Sequence, residues 1–369
     1  MFHLKSKYPI AIDIGSRNIY AAQLKESRHG LNLKALMHIK LDEGVSGNPD
    51  SDEILRDSFQ RISKSHRFSG KRAVVHLPAQ NIYSYPIRFT LSQTDIMEEA
   101  ILREARNILP FPLEDAVLDY PSVDQEPVEN KNAARAILVA VRRSFLEQYL
   151  AILKKAGLLV EAVDFNTSSL MRLHNHIHEL GSNPVILCDI GYSSSLLAIV
   201  KKDSILAQRN IPWSISRSMQ KIMTNLGPLD HEDKAKALLK SYGLVYDDRQ
   251  RADRDRDVNE DTSQDTRPRI IYQILTPDID ELIHEFHELI GYVRSAEPNL
   301  VFDNIYLYGQ AALIRNLPEY IERRINIPAV TIDPLSHEAF AGYTMPPEIS
   351  EGAPFALALG LAMRKLAWL

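Results

Sequence analysis

This sequence predicts an α/β protein built from two duplicated halves, and three observations carry the prediction. Apolar runs of strand length alternate with amphipathic helical stretches along the chain. The stretch "IAIDIGSRNIYAAQL" (Ile10–Leu24) returns as "ILCDIGYSSSLLAIV" (Ile186–Val200): an apolar strand, Asp-Ile-Gly, a small polar turn, a second apolar strand. One such hairpin is weak evidence, but two, one opening each half, imply duplicated domains with facing turns. The composition, 45% hydrophobic and 25% charged over 369 residues, suffices for about two domains with real cores.

In order, "IAIDIG", "IYAAQLK" and "LKALMHIKLD" read as three short strands in a meander. "SDEILRDSFQRIS" is a helix with Ser51 or Asp52 as cap and Ile54, Leu55, Phe59 and Ile62 on one stripe. "RAVVHLP" is a strand stopped by Pro78, and "IYSYPIRFT" a strand that Pro86 confines to a sheet edge. Thr94 or Asp95 caps the next helix, which Pro110 and Pro112 end. "AILVAVRR" is a strand, and "SFLEQYLAILKKAG" a helix closed by Gly157. "LLVEAVDF" is a strand leading into the helix "NTSSLMRLHNHIHEL". After the second hairpin, "ISRSMQKIMTNLG" and "DHEDKAKALLKSYG" are helices, each ended by glycine. Tyr246 to Arg269 mixes both charges with almost no apolar residue and reads as a disordered excursion. "LTPDIDELIHEFHELIGYVRSA" is a long amphipathic helix. "NIYLYGQAALIRNLPEYIERRINIPAVTIDP" reads strand, tight turn, helix, strand. "GAPFALALGLAMRKLAWL" is a small-residue helix suited to close packing on a sheet, an interfacial membrane helix being the alternative.

The net charge of -5 argues against bulk nucleic-acid binding. A single cysteine, Cys188, excludes an intramolecular disulfide, fits a reducing compartment and reads as a small buried residue. "MFHLKSKYPI" lacks the apolar core of a signal peptide, and no apolar stretch approaches the ~18–20 residues of a membrane span. The expectation is a cytoplasmic protein that meets a membrane only through a partner. His174 and His178 share a helix face at zinc-ligand spacing, without an apparent third ligand. His284 and His287 in "HEFHEL" do not make the H-E-x-x-H motif of a metalloprotease.

The two D-x-G hairpins and the late strand–Gly–helix resemble the actin-like ATPase superfamily, whose halves are ribonuclease-H-like. Within it, the chain is similar to the type IV pilus assembly protein PilM family, relatives of the division protein FtsA. The similarity is most specific at "EARNILPFPLEDAVLDY", "AILVAVRRSFLEQYLAILKKAGLLVEAVDF" and "IYLYGQAALIRNLPEYIERRINIPAVTIDP". It implies an actin-like fold with halves at 1–184 and 185–369. The first half would carry an α/β insert at about 85–156, the second a helical insert at about 216–300. ATP and Mg would lie between the halves. The resemblance also implies a place at the cytoplasmic face of the inner membrane, in the pilus motor platform. There the family binds the N-terminal cytoplasmic tail of PilN, in a groove between the first half and its insert.

The chemistry of the fold assigns roles to the motif. Glycine turns let backbone N–H groups approach phosphates, and a carboxylate at each strand end, Asp13 and Asp189, would hold hydrated magnesium. The candidate nucleotide residues are Asp13, Gly15, Ser16, Arg17, Asn18, Asp189, Gly191, Ser193, Ser194, Gly309 and Gln310. Departures from the family pattern predict a weak or degenerate ATP site. Tyr20 stands where relatives often carry lysine, and the lost charge would weaken binding roughly tenfold to a hundredfold, with Arg17 as a substitute. Tyr192 is bulky where the family favours a small residue. The late turn Tyr308-Gly309-Gln310-Ala311 keeps a single glycine. Lys236 and Leu239 stand where relatives place an acid and a lysine about the ribose and base. Asp164 is the candidate for orienting a catalytic water, with capping of the following helix as the alternative.

For the partner, "AILVAVRR" offers an edge strand and "TDIMEEAILREARNILPFP" a wall. Ile101, Ala105, Ile108, Leu109 and Phe111 are the candidate apolar lining. Arg142, with Arg143 and Arg103, would steer an acidic stretch. The expected function is a scaffold of the type IV pilus or a related secretion or competence machine. The rivals are an active actin-like ATPase or phosphotransferase and an FtsA-like filament former.

Overall fold

Strand β1 (Ile10–Ile14) is buried along its whole length, as a strand covered on both faces must be. It pairs antiparallel with β2 (Asn18–Ser27), and β2 with β3 (Gly30–Lys40), the meander expected from the sequence. On its other side lie β4 (Arg72–His76) and then β9 (Leu159–Asp164), both parallel, giving the order β3-β2-β1-β4-β9. The second sheet repeats this plan. Its strands are β10 (Val185–Ile190), β11 (Ser195–Lys201), β12 (Ser204–Ile211), β13 (Ile305–Gly309) and β14 (Ala329–Thr331), in the order β12-β11-β10-β13-β14. Even the register is repeated: Asp13 faces Tyr20, and Asp189 faces Leu196 at the same spacing. The computed structural model describes residues 8–28, 30–41, 51–90, 96–121, 123–125, 133–179, 181–226, 232–245, 266–340, 343–349 and 351–364.

A third sheet, β5 (Ile82–Thr90), β8 (Ala133–Arg142) and β6 (Ala116–Asp119) with β7 (Val123–Gln125) also on β8, forms the insert. Pro86 sits on the edge strand β5, as its missing N–H requires. β8 departs from expectation. It is paired on both sides, so it offers no edge to an added strand; an unbroken apolar run marks a central strand. Helix α2 (Met97–Ile108) turns Ile101 (1% exposed) and Ala105 (0%) into the insert core, which removes both from any groove lining. The cap position of α2 is Ile96, and Thr94 and Asp95 lie outside the described residues. Ser51 and Asp52 stand in the first turn of α1 (Ser51–Lys64). Helix α3 (Arg143–Lys155) packs Ile152 and Leu153 with Phe59 and Ile62 of α1 against the first sheet. The insert sheet itself runs from Ile82 to Arg142, and α3, which follows it, packs on the first sheet.

Helices α5 (Ile215–Asn225), α6 (Glu232–Ser241) and α7 (Arg267–Ala296) share a core with the second sheet. α7 begins well before Leu275, and Arg267 to Arg269 of the charged stretch are helical; residues 246–265 lie outside the described residues. Pro268 in the first turn costs α7 nothing, because N–H groups there have no intrahelical partner. Pro277 lies inside α7, and the sequence placed the helix start beside it because proline marks a helix start more often than a helix interior. One residue on, the carboxylate of Asp278 is fully buried. It makes ionic contacts of 2.8 Å with both Arg217 Nε and Lys221 Nζ and accepts from Ser218 Oγ at 2.6 Å, pinning α5 to α7.

The halves are joined by an exchange. Helix α4 (Asn166–Ile177) follows the first sheet and touches β11 of the second. Helix α8 (Leu317–Ile325) precedes β14, and helix α9 (Ala356–Ala362) closes the second half but packs chiefly on α4, β1 and β2. One core therefore unites Ala11, Ala22 and Val74 with Leu187, Leu196 and Ala198 through Leu170, Leu173 and the whole of α9. At the α4–α9 crossing, a Cβ on Gly360 would lie 1.9 Å from the Ser169 carbonyl oxygen, so only glycine fits. Every residue of α9 is buried, which excludes these residues from a membrane interface. Among the described residues no helix is long and apolar enough to cross a membrane.

Candidate functional site

Asp13 and Asp189 close β1 and β10 and face one crevice between the two main sheets. Its first chamber, about 100 Å³, is lined by every candidate nucleotide residue named from the sequence, from Asp13 to Gln310. The turns are as tight as glycine permits. The Gly15 N–H donates to the Asn18 carbonyl at 2.9 Å, and a Cβ on Gly191 would meet the Ser194 carbonyl at 2.3 Å. Gly309, at φ +68°, lets its backbone lie against Asp189; a Cβ there would stand 2.6 Å from Oδ1. Ser16 Oγ and Asn166 Oδ1 line the chamber buried, with no hydrogen-bond partner among the described residues. Unpaired polar atoms, glycine cradles and two acids together fit a phosphate-bearing ligand with a divalent cation.

The two acids are held differently. Burial, then the charge of Asp13, push the Asp189 carboxyl up to about 7. Asp13 is met by the fully buried ring of His76, whose Nδ1 lies 3.1 Å from its Oδ1. His76 Nε2 is 2.8 Å from Ser169 Oγ, which accepts from Arg172 at 2.9 Å. The atom order Ser169–His76–Asp13 is that of a hydrolase triad, but here the serine is the sealed end and the acid the open one. The chain positions Asp13; it presents no nucleophile. Arg172 continues it to Asp164 Oδ2 at 2.5 Å, where Arg364 also arrives at 3.0 Å. Burial raises the Asp164 carboxyl, yet Arg172, His76 and Arg364 outweigh it and hold it below the usual range. Asp164 does not line the chamber, and its Oδ1 accepts from the adjacent Phe165 N–H while Phe165 takes the cap position of α4. Sequence reasoning missed His76 and Ser169. The available signal was a polar residue ending the apolar strand "RAVVH", beside the strand that Asp13 ends.

A second chamber of about 380 Å³ adjoins the first across Asn18, Tyr20, Tyr192 and Gln310. Tyr20 stacks on His38, with centroids 4.9 Å apart and planes at 11°, and meets Phe355 edge-on at 5.0 Å. It is an aromatic wall between the two chambers, at the position where the resemblance implies that a charge is lost. Helix α6 presents Asp233, Lys236, Ala237 and Lys240 to this chamber, the i, i+3, i+4, i+7 face, whereas Leu239 points into the core. An acid and two lysines thus face the chamber, Lys236 among them, and Leu239 does not. Side chains link the two walls of the crevice. Arg17 Nη2 lies 3.0 Å from Glu232 Oε1 with its guanidinium 5.1 Å from the Tyr192 ring centre, and Gln310 Nε2 donates to Tyr20 at 3.4 Å. The Tyr192 hydroxyl also bonds Glu232.

A family model described as type IV pilus assembly protein PilM matches residues 11–366. The chain belongs to the PilM family. Among solved structures, it is similar to that of a PilM–PilN type IV pilus biogenesis complex, with 21% identity, 96% of this chain and 98% of that chain covered, and a TM-score of 0.74. It is also similar to the ethanolamine utilization protein EutJ from Carboxydothermus hydrogenoformans, at 12% identity, with 98% and 90% covered and a TM-score of 0.50. MreB 5 of Spiroplasma citri bound to AMPPNP matches at 13% identity, with 96% and 95% covered and a TM-score of 0.50. These likenesses show the actin-like ATPase fold that the hairpins implied.

Behind the Gly15–Ser16 turn of this PilM-family chain lies a groove of about 260 Å³ between α1 and α3. Ile14 and Leu55 line one side, Phe145, Gln148 and Tyr149 the other, with Gln80 and Asn81 at the end. None of the partner residues named from the sequence lines it. Ile108 and Leu109 pack on the insert core, and Phe111 lies under the Arg142 guanidinium at 4.5 Å and against Tyr83 at 5.1 Å. His174 Nδ1 is 3.0 Å from the Tyr308 hydroxyl, and burial, then His178, push its ring down to about 3. Cys188 is buried, and burial, then Asp189, push its thiol upward.

The Asp189 shift gives a pH prediction. Unfolded, Asp189 loses its proton near pH ~4; folded, it keeps it to about 7. The folded state thus holds an extra proton across that window, and its stability falls as pH rises through it. Asp189→Asn is expected to exceed the wild type in urea unfolding at pH 8 by roughly 2–4 kcal/mol, with the gain shrinking towards pH 5. Equal stabilities at pH 8 would show the acid to be comfortably ionised.

Proposed function

We propose that this chain is a docking component of the type IV pilus assembly machinery at the cytoplasmic face of the inner membrane. It receives the N-terminal tail of a PilN-like membrane protein in the groove between α1 and α3. The observation that carries this reading is the groove itself, where the aromatic pair Phe145–Tyr149, 4.7 Å apart, stands with the amides of Gln80, Asn81 and Gln148. Aromatic walls take apolar side chains, and amides satisfy an extended backbone. Family membership and the similar structure solved as a PilM–PilN complex support the partner.

In the crevice, nucleotide serves as a ligand that sets the closure of the halves rather than as a substrate turned over. The glycine turns would hold its phosphates, and Asp13 and Asp189 its magnesium. When bound, it would supply positive charge beside Asp189 and so favour its ionised form. Asp164, committed to two arginines, favours binding without turnover.

Fluorescence anisotropy with labelled tails of PilN-like proteins tests the docking. Phe145→Ala is expected to weaken capture roughly tenfold or more, while Asp13→Ala changes it less than about twofold. Equal capture by Phe145→Ala and wild type would place the tail elsewhere.

A further inference from the structure

Arg17 comes from the first half, Tyr192 from the second hairpin and Glu232 from the first turn of α6. The Arg17–Glu232 ion pair and the Arg17–Tyr192 contact therefore tie one half to the other directly across the mouth of the crevice, and the Tyr192–Glu232 bond braces the two acceptors on the second half. The Arg17 and Glu232 side chains are only 14% and 21% exposed, so water screens the pair less than a surface pair. Among the described residues lining the first chamber, Arg17 is the only cation. That chamber, at about 100 Å³, is too small for a whole nucleotide and adjoins the second, of about 380 Å³, so a phosphate chain seated beside Arg17 would leave the rest of the nucleotide to the second chamber.

We infer that Arg17 is the phosphate-binding cation of this crevice and that Glu232, covered by Tyr192, holds it back until a nucleoside di- or triphosphate takes it. The inference rests on the nucleotide reading above. It accounts for two departures together. A lysine is dispensable at Tyr20 because Arg17 carries the charge, and Tyr192 is bulky because it packs on the guanidinium and bonds its carboxylate partner. Phosphate and Glu232 compete for one side chain, so ligand binding and release of the two halves are a single equilibrium.

Calorimetric titration with Mg-ATP and Mg-ADP tests it on the wild type, Glu232→Gln, Arg17→Gln and the double variant. Glu232→Gln is expected to bind about tenfold tighter and Arg17→Gln about tenfold weaker, with the gain absent in the double variant. A wild type that binds while Glu232→Gln is no tighter, or a gain that survives Arg17→Gln, overturns the latch and leaves the nucleotide reading standing. Binding by none of the four proteins overturns the nucleotide reading and, with it, the phosphate role of Arg17. The latch has its own readout without nucleotide: electron–electron distances between spin labels at Asp57→Cys and Glu322→Cys, both exposed, with Cys188 buried and silent. Glu232→Gln should broaden that distribution, and an unchanged one overturns the latch whatever the titrations give.

Discussion

Gly360→Ala is expected to destabilise the protein by about 3 kcal/mol or more in urea unfolding, although it adds one carbon in mid-helix. The added Cβ would lie 1.9 Å from the Ser169 oxygen, 2.6 Å from its carbon and 3.2 Å from Leu173 Cβ. The first two atoms are backbone, so no side chain can turn aside; α4 and α9 must separate. Separation would also stretch the Arg172 Nε bond to the Gly360 carbonyl, now 3.2 Å, and the 2.8 Å contact of Ser169 with His76. Elsewhere in a helix, glycine to alanine gains about 1 kcal/mol from propensity. The two mechanisms predict opposite signs, so the experiment is decisive: a stabilised variant would show that the crossing is loose.

Asp278→Ala is expected to cost about 3 kcal/mol. Removing one partner of a buried ion pair typically costs ~3–5 kcal/mol, because a charge is left buried and alone. Here Arg217 and Lys221 are about a third exposed, at 37% and 33%, and can turn to water, which favours the lower end. What cannot be recovered is the 2.6 Å bond from the buried Ser218 hydroxyl and the volume of the carboxylate. Trp213 Nε1 donates at 2.7 Å to the Asp278 backbone carbonyl, a bond the substitution leaves in place. Urea unfolding followed by circular dichroism checks the value; a cost below about 1 kcal/mol would mark the cluster as a surface pair in effect.

The hairpins were legible because an acid ending an apolar strand has no packing explanation, and its recurrence at Asp189 doubled the signal. Placement of charge on α6 was half legible. The acid and lysines are on the chamber face, and the family pattern points to Lys236 there but also to Leu239, a core residue; helical periodicity anchored on the buried Ala235 and Leu239 turns Asp233 and Lys236 outward. The proposed docking groove was illegible for a different reason. Whether a strand such as β8 is central or at an edge depends on pairings with β5, β6 and β7 that no local pattern encodes. The same holds for Arg17 and Glu232, whose meeting is decided by how two halves close.

The exchange of closing helices bears on how the chain is made. The face of β1 and β2 that α9 covers leaves the ribosome well before α9, because the whole second sheet is made between them. Until α9 follows, that apolar surface waits uncovered, with Ala11, Ala22 and Leu36 open to misassociation. The central core therefore closes only through contacts of long sequence separation, the kind whose loop-closure cost slows folding.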